Sequence, residues 1–133
     1  MAARPPRPTL PGPEVRMART VFPDQTNHLG SLFGGHALSM MDEACYVAAT
    51  RFARRTCVTV RVDRIDFTVP VRAGELVEVV AQVVAVGRTS LTCRVDLFAE
   101  DLLGASRRRA TGGTFTLVAV DAAGRPTPVV PED

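Results

Sequence analysis

The 133-residue sequence lacks lysine and tryptophan, has one tyrosine and two histidines, and contains no stretch of 18 residues free of charge. Because a membrane-spanning helix needs about 20 consecutive apolar residues, the sequence predicts no such span. The first thirteen residues are rich in proline and include Arg4 and Arg7. They have no apolar segment of the kind found in secretory signal peptides. We therefore expect a cytoplasmic protein that does not bind membranes.

Cysteine and histidine, which commonly bind transition metals, are also few. Cys45, Cys57 and Cys93 are odd in number, and each lies within an apolar segment. This favours buried, reduced thiols over a disulfide or a metal site. With only His28 and His36 besides, no histidine–cysteine cluster can form, and nothing indicates a carboxylate site. The sequence predicts no metal and no bound cofactor.

The net charge of +2 comes from sixteen arginines set against fourteen acidic residues. This excess is too small, and too interleaved with acids, to indicate a nucleic-acid partner. It remains compatible with a phosphorylated small molecule.

The length predicts one domain, and 46% hydrophobic residues suffice for a core. We expect residues 1–17 to form a disordered or extended proline-rich arm, because proline disfavours regular structure there. Residues 18–124 would form the domain, and residues 125–133 a tail interrupted by Pro126, Pro128 and Pro131. The domain would open with a short strand over residues 20–22 and a loop over residues 24–35.

A single helix is predicted over residues 36–53, where apolar side chains cover most of the helical wheel and indicate burial on nearly all sides. The remaining segments alternate like strands, over residues 58–62, 65–69, 76–86, 91–99 and 110–120. The alternation changes phase at Asp63–Arg64, which predicts a β-bulge there.

One buried helix followed by strands with short connections predicts an α+β fold. An antiparallel β-sheet would wrap around one long central helix, since a helix this apolar needs a sheet curled about it. The other side of the sheet then has no cover within the chain. We therefore expect the protein to self-associate, with a homodimer as the smallest unit of a larger homo-oligomer.

Residues 23–35 (PDQTNHLGSLFGG), followed by MDEA at residues 41–44, resemble the bacterial acyl-CoA thioesterases of the hotdog superfamily and their eukaryotic cytosolic relatives. Further matching segments are residues 58–59, 66–67, 70–71, 86–90 and 115–121, so the resemblance spans roughly residues 18–128. It implies the hotdog fold and hydrolysis of acyl-CoA thioesters, with CoA as part of the substrate. Two alternatives remain open, a non-catalytic acyl-CoA-binding protein and an acyl-thioester hydratase. The hydratase is disfavoured because neither histidine lies beside a suitable acid.

Asp42 is a carboxylate within the apolar helix. Burying it unpaired would be costly, so it is either a satisfied structural residue or a partly desolvated general base or nucleophile. The resemblance implies the catalytic role. Gly34 and Gly35 stand where the loop meets the helix, where free N–H groups could stabilise an oxyanion, or where the chain simply turns. The resemblance implies the oxyanion role, above all for Gly34.

Asn27 can orient water or a carboxylate, although an isolated asparagine in such a loop is usually a turn residue. The resemblance again implies catalysis. Eight residues separate Gly34 from Asp42, about 12 Å along a helix. One chain would therefore bring both to a single carbonyl with difficulty. This suggests a site shared by two chains.

Two basic segments are candidates for contacts with CoA. Residues 87–90 read as a hairpin turn, but the resemblance implies contacts from Arg88, Thr89 and Ser90 to the CoA phosphates. Arg108 lies in a basic run that is either a solvated strand end or a contact to the nucleotide 3′-phosphate.

Overall fold

The computed structural model describes residues 8–130, which form one long helix and a five-stranded antiparallel sheet. Along the chain the elements are β1 (Val15–Thr20), a short 3-10 helix (Pro23–Gln25), α1 (Gly34–Ala53), β2 (Cys57–Asp63), β3 (Leu76–Val86), β4 (Ser90–Glu100) and β5 (Arg107–Ala119). The strand order is β1-β3-β4-β5-β2, so β1 and β2 form the two edges. This arrangement confirms the predicted fold class.

The sheet curls around α1, whose buried face consists mainly of small and flexible side chains. Met41, Ala44, Cys45 and Ala49 are fully buried there. Alternate residues of β4, and of β3 from Val77 to Val83, point at this face, in the in–out pattern of a sheet with one buried side. The helix is not covered all round in the single chain, since Tyr46 is 45% exposed. The predicted burial on nearly all sides is therefore not reached within one protomer.

The first strand begins earlier than predicted, at Val15 rather than at residue 20. Its position follows from pairing with β3, in which Val15 lies opposite Ala81. The preceding residues run beside the sheet as well, and the Gly12 N–H donates to the Val83 carbonyl at 2.9 Å. The predicted boundary between arm and domain thus falls inside a strand, while residues 1–7 lie outside the described part of the chain.

The strand predicted over residues 65–69 does not form, and the bulge predicted at Asp63–Arg64 is wrong. The chain leaves the sheet at Arg64, which has a left-handed backbone with φ of 49°. The apolar alternation is nevertheless real, because Ile65 and Val69 pack against the core without joining the ladder. The register shift lies instead inside β2, between Thr59 and Arg61.

The described part of the predicted tail packs onto the domain. Val120 forms an isolated bridge with Pro126. The Val129 side chain is only 2% exposed, and its N–H donates to the Arg88 carbonyl at 2.8 Å. Residues 131–133 lie outside the described range. Among the described residues, no helix is long and apolar enough to cross a membrane.

Candidate active site

Helix α1 begins at Gly34, two residues earlier than predicted, so both glycines belong to its first turn. No side chain caps this end, and the first intrahelical bond that it makes runs from the Ala37 N–H to the Phe33 carbonyl at 3.0 Å. The N–H groups of a first helical turn have no acceptor within the helix. Gly34 and Gly35 therefore present backbone donors at the positive end of the helix dipole.

The Asn27 side chain is fixed by its own loop. Its Oδ1 accepts hydrogen bonds from the N–H groups of Leu29 at 2.9 Å and Ser31 at 3.1 Å. Because two N–H donors face this atom, it must be the amide oxygen, and the NH₂ group points the other way. Asn27 is thus a turn residue, as the simpler interpretation predicted, and its NH₂ group carries two further donors.

Asn27 and Gly34 line one pocket of about 320 Å³. Its walls include Phe67, Leu97 and Thr111, the last two of which face each other across β4 and β5. The hydroxyl of Thr111 donates to the Asp66 carbonyl at 2.8 Å, which holds the segment carrying Phe67. The Phe67 ring also lies against Gly34, where an added Cβ would meet it at 3.4 Å.

Asp42 is partly buried and lies outside this pocket. Its Oδ1 accepts a hydrogen bond from the Thr59 hydroxyl of β2 at 2.5 Å. This partner was missed by the sequence reasoning, because the two residues are seventeen positions apart and only the fold brings them together. The neighbouring Glu43 points elsewhere and forms an exposed ion pair with Arg19, at 3.0 Å.

The three cysteines are free and buried, as predicted. Cys45 follows Asp42 by one helical turn, but a hydrogen bond with Cys93 and burial raise its pKa far above the ordinary range. Cys45 therefore remains a thiol and cannot serve as a thiolate nucleophile. Within residues 8–130, no three metal-ligating side chains are grouped closely enough to hold an ion. That the protein uses no metal and no cofactor stays a prediction.

The candidate CoA contacts lie at opposite ends of the sheet. The hairpin between β3 and β4 contains Arg88, Thr89 and Ser90. Arg108 of β5 lies opposite Ala99, near the other end of β4. Nine residues separate Ser90 from Ala99, about 30 Å along a strand. One CoA molecule bound within a single protomer therefore does not reach both groups easily.

Both Arg88 and Arg108 already interact within the chain. Arg108 donates to both carboxylate oxygens of Glu75, at 2.7 and 2.8 Å, and to the Pro70 carbonyl at 2.8 Å. Its guanidinium group is consequently committed to the protein, and its predicted contact with CoA stays a prediction.

The family model of the thioesterase superfamily matches residues 29–105. An uncharacterised acyl-CoA thioester hydrolase of Zymomonas mobilis is 36% identical over 124 residues, which span 93% of this chain and 83% of the relative. This chain therefore belongs to the thioesterase superfamily.

Solved structures agree in fold. An apo-hexameric acyl-CoA thioesterase gives a TM-score of 0.85 at 36% identity, covering 89% of this chain and 75% of that one. The acyl-CoA hydrolase of Staphylococcus aureus, in complex with butyryl-CoA, CoA and CoA disulfide, gives 0.82 at 31% identity, covering 90% and 75%. That hydrolase has also been solved with an aspartate, a threonine or an asparagine replaced by alanine. The predicted hotdog fold is thereby confirmed.

Proposed function

We propose that this protein hydrolyses acyl-CoA thioesters to the free acid and CoA. The proposal rests on two features that occur together in this chain. The Asp42 carboxylate accepts a hydrogen bond from the Thr59 hydroxyl, and a separate pocket is lined by Asn27 and by Gly34 at the N-terminus of α1, both of which carry N–H donors. Thioester hydrolysis needs both parts, a base or nucleophile and donors for the developing oxyanion. The relatives named as acyl-CoA thioester hydrolases support the substrate class.

The backbone N–H of Gly34 polarises the thioester carbonyl, with Gly35 beside it. Glycine at this position lets the substrate carbonyl approach the backbone closely. As the tetrahedral intermediate forms, the carbonyl oxygen gains negative charge, and the helix N-terminus stabilises it. The Asn27 NH₂ group donates to the same oxygen or to the attacking water.

Asp42 supplies the reactive carboxylate, by one of two routes. As a general base it takes a proton from water, hydroxide adds to the carbonyl carbon, and the C–S bond breaks to release the CoA thiolate, which is then protonated. As a nucleophile it attacks the carbonyl carbon itself, and the C–S bond breaks to release the CoA thiolate, which is then protonated. Water then cleaves the resulting mixed anhydride to the free acid and Asp42. Transfer of ¹⁸O from labelled water into Asp42 in a single turnover would identify attack by Asp42, because the general-base route exchanges no Asp42 oxygen.

The complete site forms between two chains, because Asp42 does not line the pocket of its own protomer. Strand β2, which carries Thr59, is an edge strand with an apolar exposed side: Val58, Val60 and Val62 are 44%, 57% and 43% exposed. Two such edges pairing about a two-fold axis would extend the sheet and cover these valines. The hexameric relative is consistent with such dimers assembling further.

The hairpin of Arg88, Thr89 and Ser90 binds the phosphates of CoA. Thr59 lies opposite Leu117, and Leu117 lies opposite Leu91, so the Asp42–Thr59 pair and the hairpin share one end of the sheet. Arginine and hydroxyl groups suit phosphate recognition. The complexes of the Staphylococcus aureus hydrolase with CoA support this choice of ligand.

A thiol-release assay over a panel of acyl-CoAs tests the proposed function. Wild-type protein should release CoA thiol from at least one member, whereas Asp42→Ala should lose about 10²–10⁴-fold in kcat. Glu43→Gln is the matched control, since it removes an adjacent exposed carboxylate and should retain activity. If the wild-type protein cleaves none of the acyl-CoAs, the proposed function is wrong.

A further inference from the structure

The Asn27 loop, residues 27–32, is attached to the turn at residues 70–75. The Arg72 guanidinium donates to the Leu29 carbonyl at 3.1 Å and to the Ser31 hydroxyl at 3.3 Å. Leu29 and Ser31 are the two residues whose N–H groups hold the Asn27 oxygen. The Asn27 amide is therefore linked to Arg72 through Leu29 and Ser31.

Glu75 connects this turn to the sheet. Its Oε1 accepts the Arg72 backbone N–H at 2.7 Å. Its two oxygens also accept hydrogen bonds from Arg108 of β5, which in addition donates to the Pro70 carbonyl at 2.8 Å. Arg108 thus contacts the turn at both its ends, at the Pro70 carbonyl and at the Glu75 carboxylate, and Pro70 itself lines the pocket.

This ion pair is better protected from water than an ordinary surface pair. The Glu75 side chain is 12% exposed and that of Arg108 36%. Hydrogen bonding to Arg108 lowers the pKa of Glu75, and the same bond raises the pKa of Arg108. Both groups therefore stay ionised in neutral solution, where a two-pronged arginine–carboxylate pair fixes geometry as well as energy.

We propose that Glu75 and Arg108 are positioning residues, which act through Arg72 to hold the Asn27 amide in its catalytic direction. This inference rests on the proposed function, because the role of Asn27 belongs to that proposal. Catalysis is sensitive to such support, since a displacement of about 1 Å at a reacting group can cost about 100-fold in rate. No direct contact with substrate is required of either residue.

The chain supplies a matched control three residues further along. Glu78 of β3 pairs with Arg107 of β5 at 2.7 Å and with Arg16 of β1 at 3.0 Å. This cluster also joins an acid of β3 to the basic run that starts β5, but it has no hydrogen bond to the Asn27 loop or to the 70–75 turn in the described chain. Glu78→Gln therefore removes an equivalent charge without loosening Asn27.

The kinetic experiment compares Glu75→Gln with Glu78→Gln in the thiol-release assay. We expect Glu75→Gln to lower kcat by about 10- to 100-fold with a much smaller change in KM, and Glu78→Gln to alter neither appreciably. Added to Asn27→Ala, Glu75→Gln should have little further effect, because both changes remove one function. A purely structural residue would instead lower activity by the same factor in both backgrounds, and that additivity would overturn the proposal.

Amide hydrogen exchange gives a readout that does not need activity. In Glu75→Gln, and in the surface variant Arg72→Gln, the N–H groups of Leu29 and Ser31 should exchange faster than in Glu78→Gln. Unchanged exchange in Glu75→Gln would contradict the inference. If the wild-type protein cleaved no acyl-CoA but these amides responded as expected, the proposed function would fail while the coupling of Glu75 to the loop stood.

Discussion

Asp42 depends on a hydroxyl that lies on a different element. Its carboxylate is partly buried, and the Thr59 hydroxyl donates to one oxygen at 2.5 Å, which leaves the other oxygen able to meet water or substrate. Such a hydrogen bond fixes the direction of the carboxylate and offsets part of its desolvation. Asn27 is held similarly, by two backbone donors on its oxygen. In both side chains, one polar atom is fixed by hydrogen bonds within the described chain, and the other is free to meet water or substrate.

Replacing Thr59 by valine should therefore reduce activity more than stability. The change keeps the branched shape but removes the donor to Asp42, so we expect kcat to fall by about 10- to 100-fold, the worth of a hydrogen bond to a charged group. Thr59→Ser keeps the hydroxyl and should retain most activity. Thiol release and thermal unfolding measure the two effects, and an unchanged kcat in Thr59→Val would contradict the role given to this bond.

Gly34 offers a way to remove one backbone donor. It is the first helical residue, where proline is tolerated, and the preceding Phe33 has φ of −59° and ψ of 136°, which suit a residue before proline. Gly34→Pro should lower kcat by about 10²–10³-fold through loss of the oxyanion donor. Gly34→Ala retains the N–H and should lose far less, since its Cβ meets only the Phe67 ring at 3.4 Å. Equal activities of the two variants would argue against Gly34 as the donor.

Among the elements, β2 does two things. Its inner edge pairs with β5 and carries the partner of Asp42, while its outer edge has no strand beside it in the described chain. An edge strand with exposed valines is a template for pairing with another strand. The 70–75 turn likewise makes two kinds of contact. Its Pro70 lines the pocket, and its Glu75 accepts a hydrogen bond from Arg108 of β5.

A charge on the outer edge of β2 should prevent self-association. Val60, 57% exposed in the single chain, would be covered in the proposed pair. Val60→Lys should therefore give monomers in sedimentation or light scattering, together with loss of thioesterase activity. Val84→Lys places the same charge on an exposed valine of the inner strand β3 and should leave the β2 pairing intact. A fully active dimer of Val60→Lys would exclude this interface.

The Glu75–Arg108 pair should make stability depend on pH in a defined direction. Arg108 lowers the pKa of Glu75 in the folded protein, so Glu75 contributes stability above the pKa it has when unfolded. That contribution is lost as pH falls through the folded value. At neutral pH we expect the free energy of unfolding of Glu75→Gln to be about 1–2 kcal/mol lower than that of wild type. The difference should shrink as the pH falls through the folded pKa of Glu75. Urea unfolding at several pH values measures it, and a constant difference would refute the assignment.

For the whole molecule, the proposed function implies that one protomer holds two halves of a site rather than one complete site. The Asn27–Gly34 pocket and the Asp42–Thr59 pair lie on the same chain but do not meet there. A two-fold axis at the β2 edge would give two complete sites per dimer. The cytoplasmic location remains a prediction from the sequence.

Mixing two inactive variants distinguishes a shared site from a self-contained one. If Asp42 of one chain works with Asn27 of the other, a dimer of Asp42→Ala with Asn27→Ala has one intact site. Random pairing should then restore about a quarter of wild-type activity, since half of the dimers are mixed and each has one working site of two. Mixtures that regain no activity after subunit exchange would place both residues in the same chain.

The sequence by itself determined the helix, the three long strands β3, β4 and β5, and the position of the glycines at the helix start. These features depend on local periodicity and backbone preference, which the chain carries wherever it lies. The sequence also identified the candidate site residues between Asn27 and Asp42, because the resemblance to the thioesterases depends on residue order and spacing.

Only the tertiary structure decided which groups meet. Ile65 and Val69 alternate like a strand, yet the left-handed Arg64 takes them out of the sheet, because core packing and ladder pairing produce the same pattern in a sequence. The hydroxyl on Asp42, the separation of Asp42 from the pocket, and the commitment of Arg108 to Glu75 all join residues far apart in the chain. Such contacts are fixed by strand order and register, which local sequence does not encode.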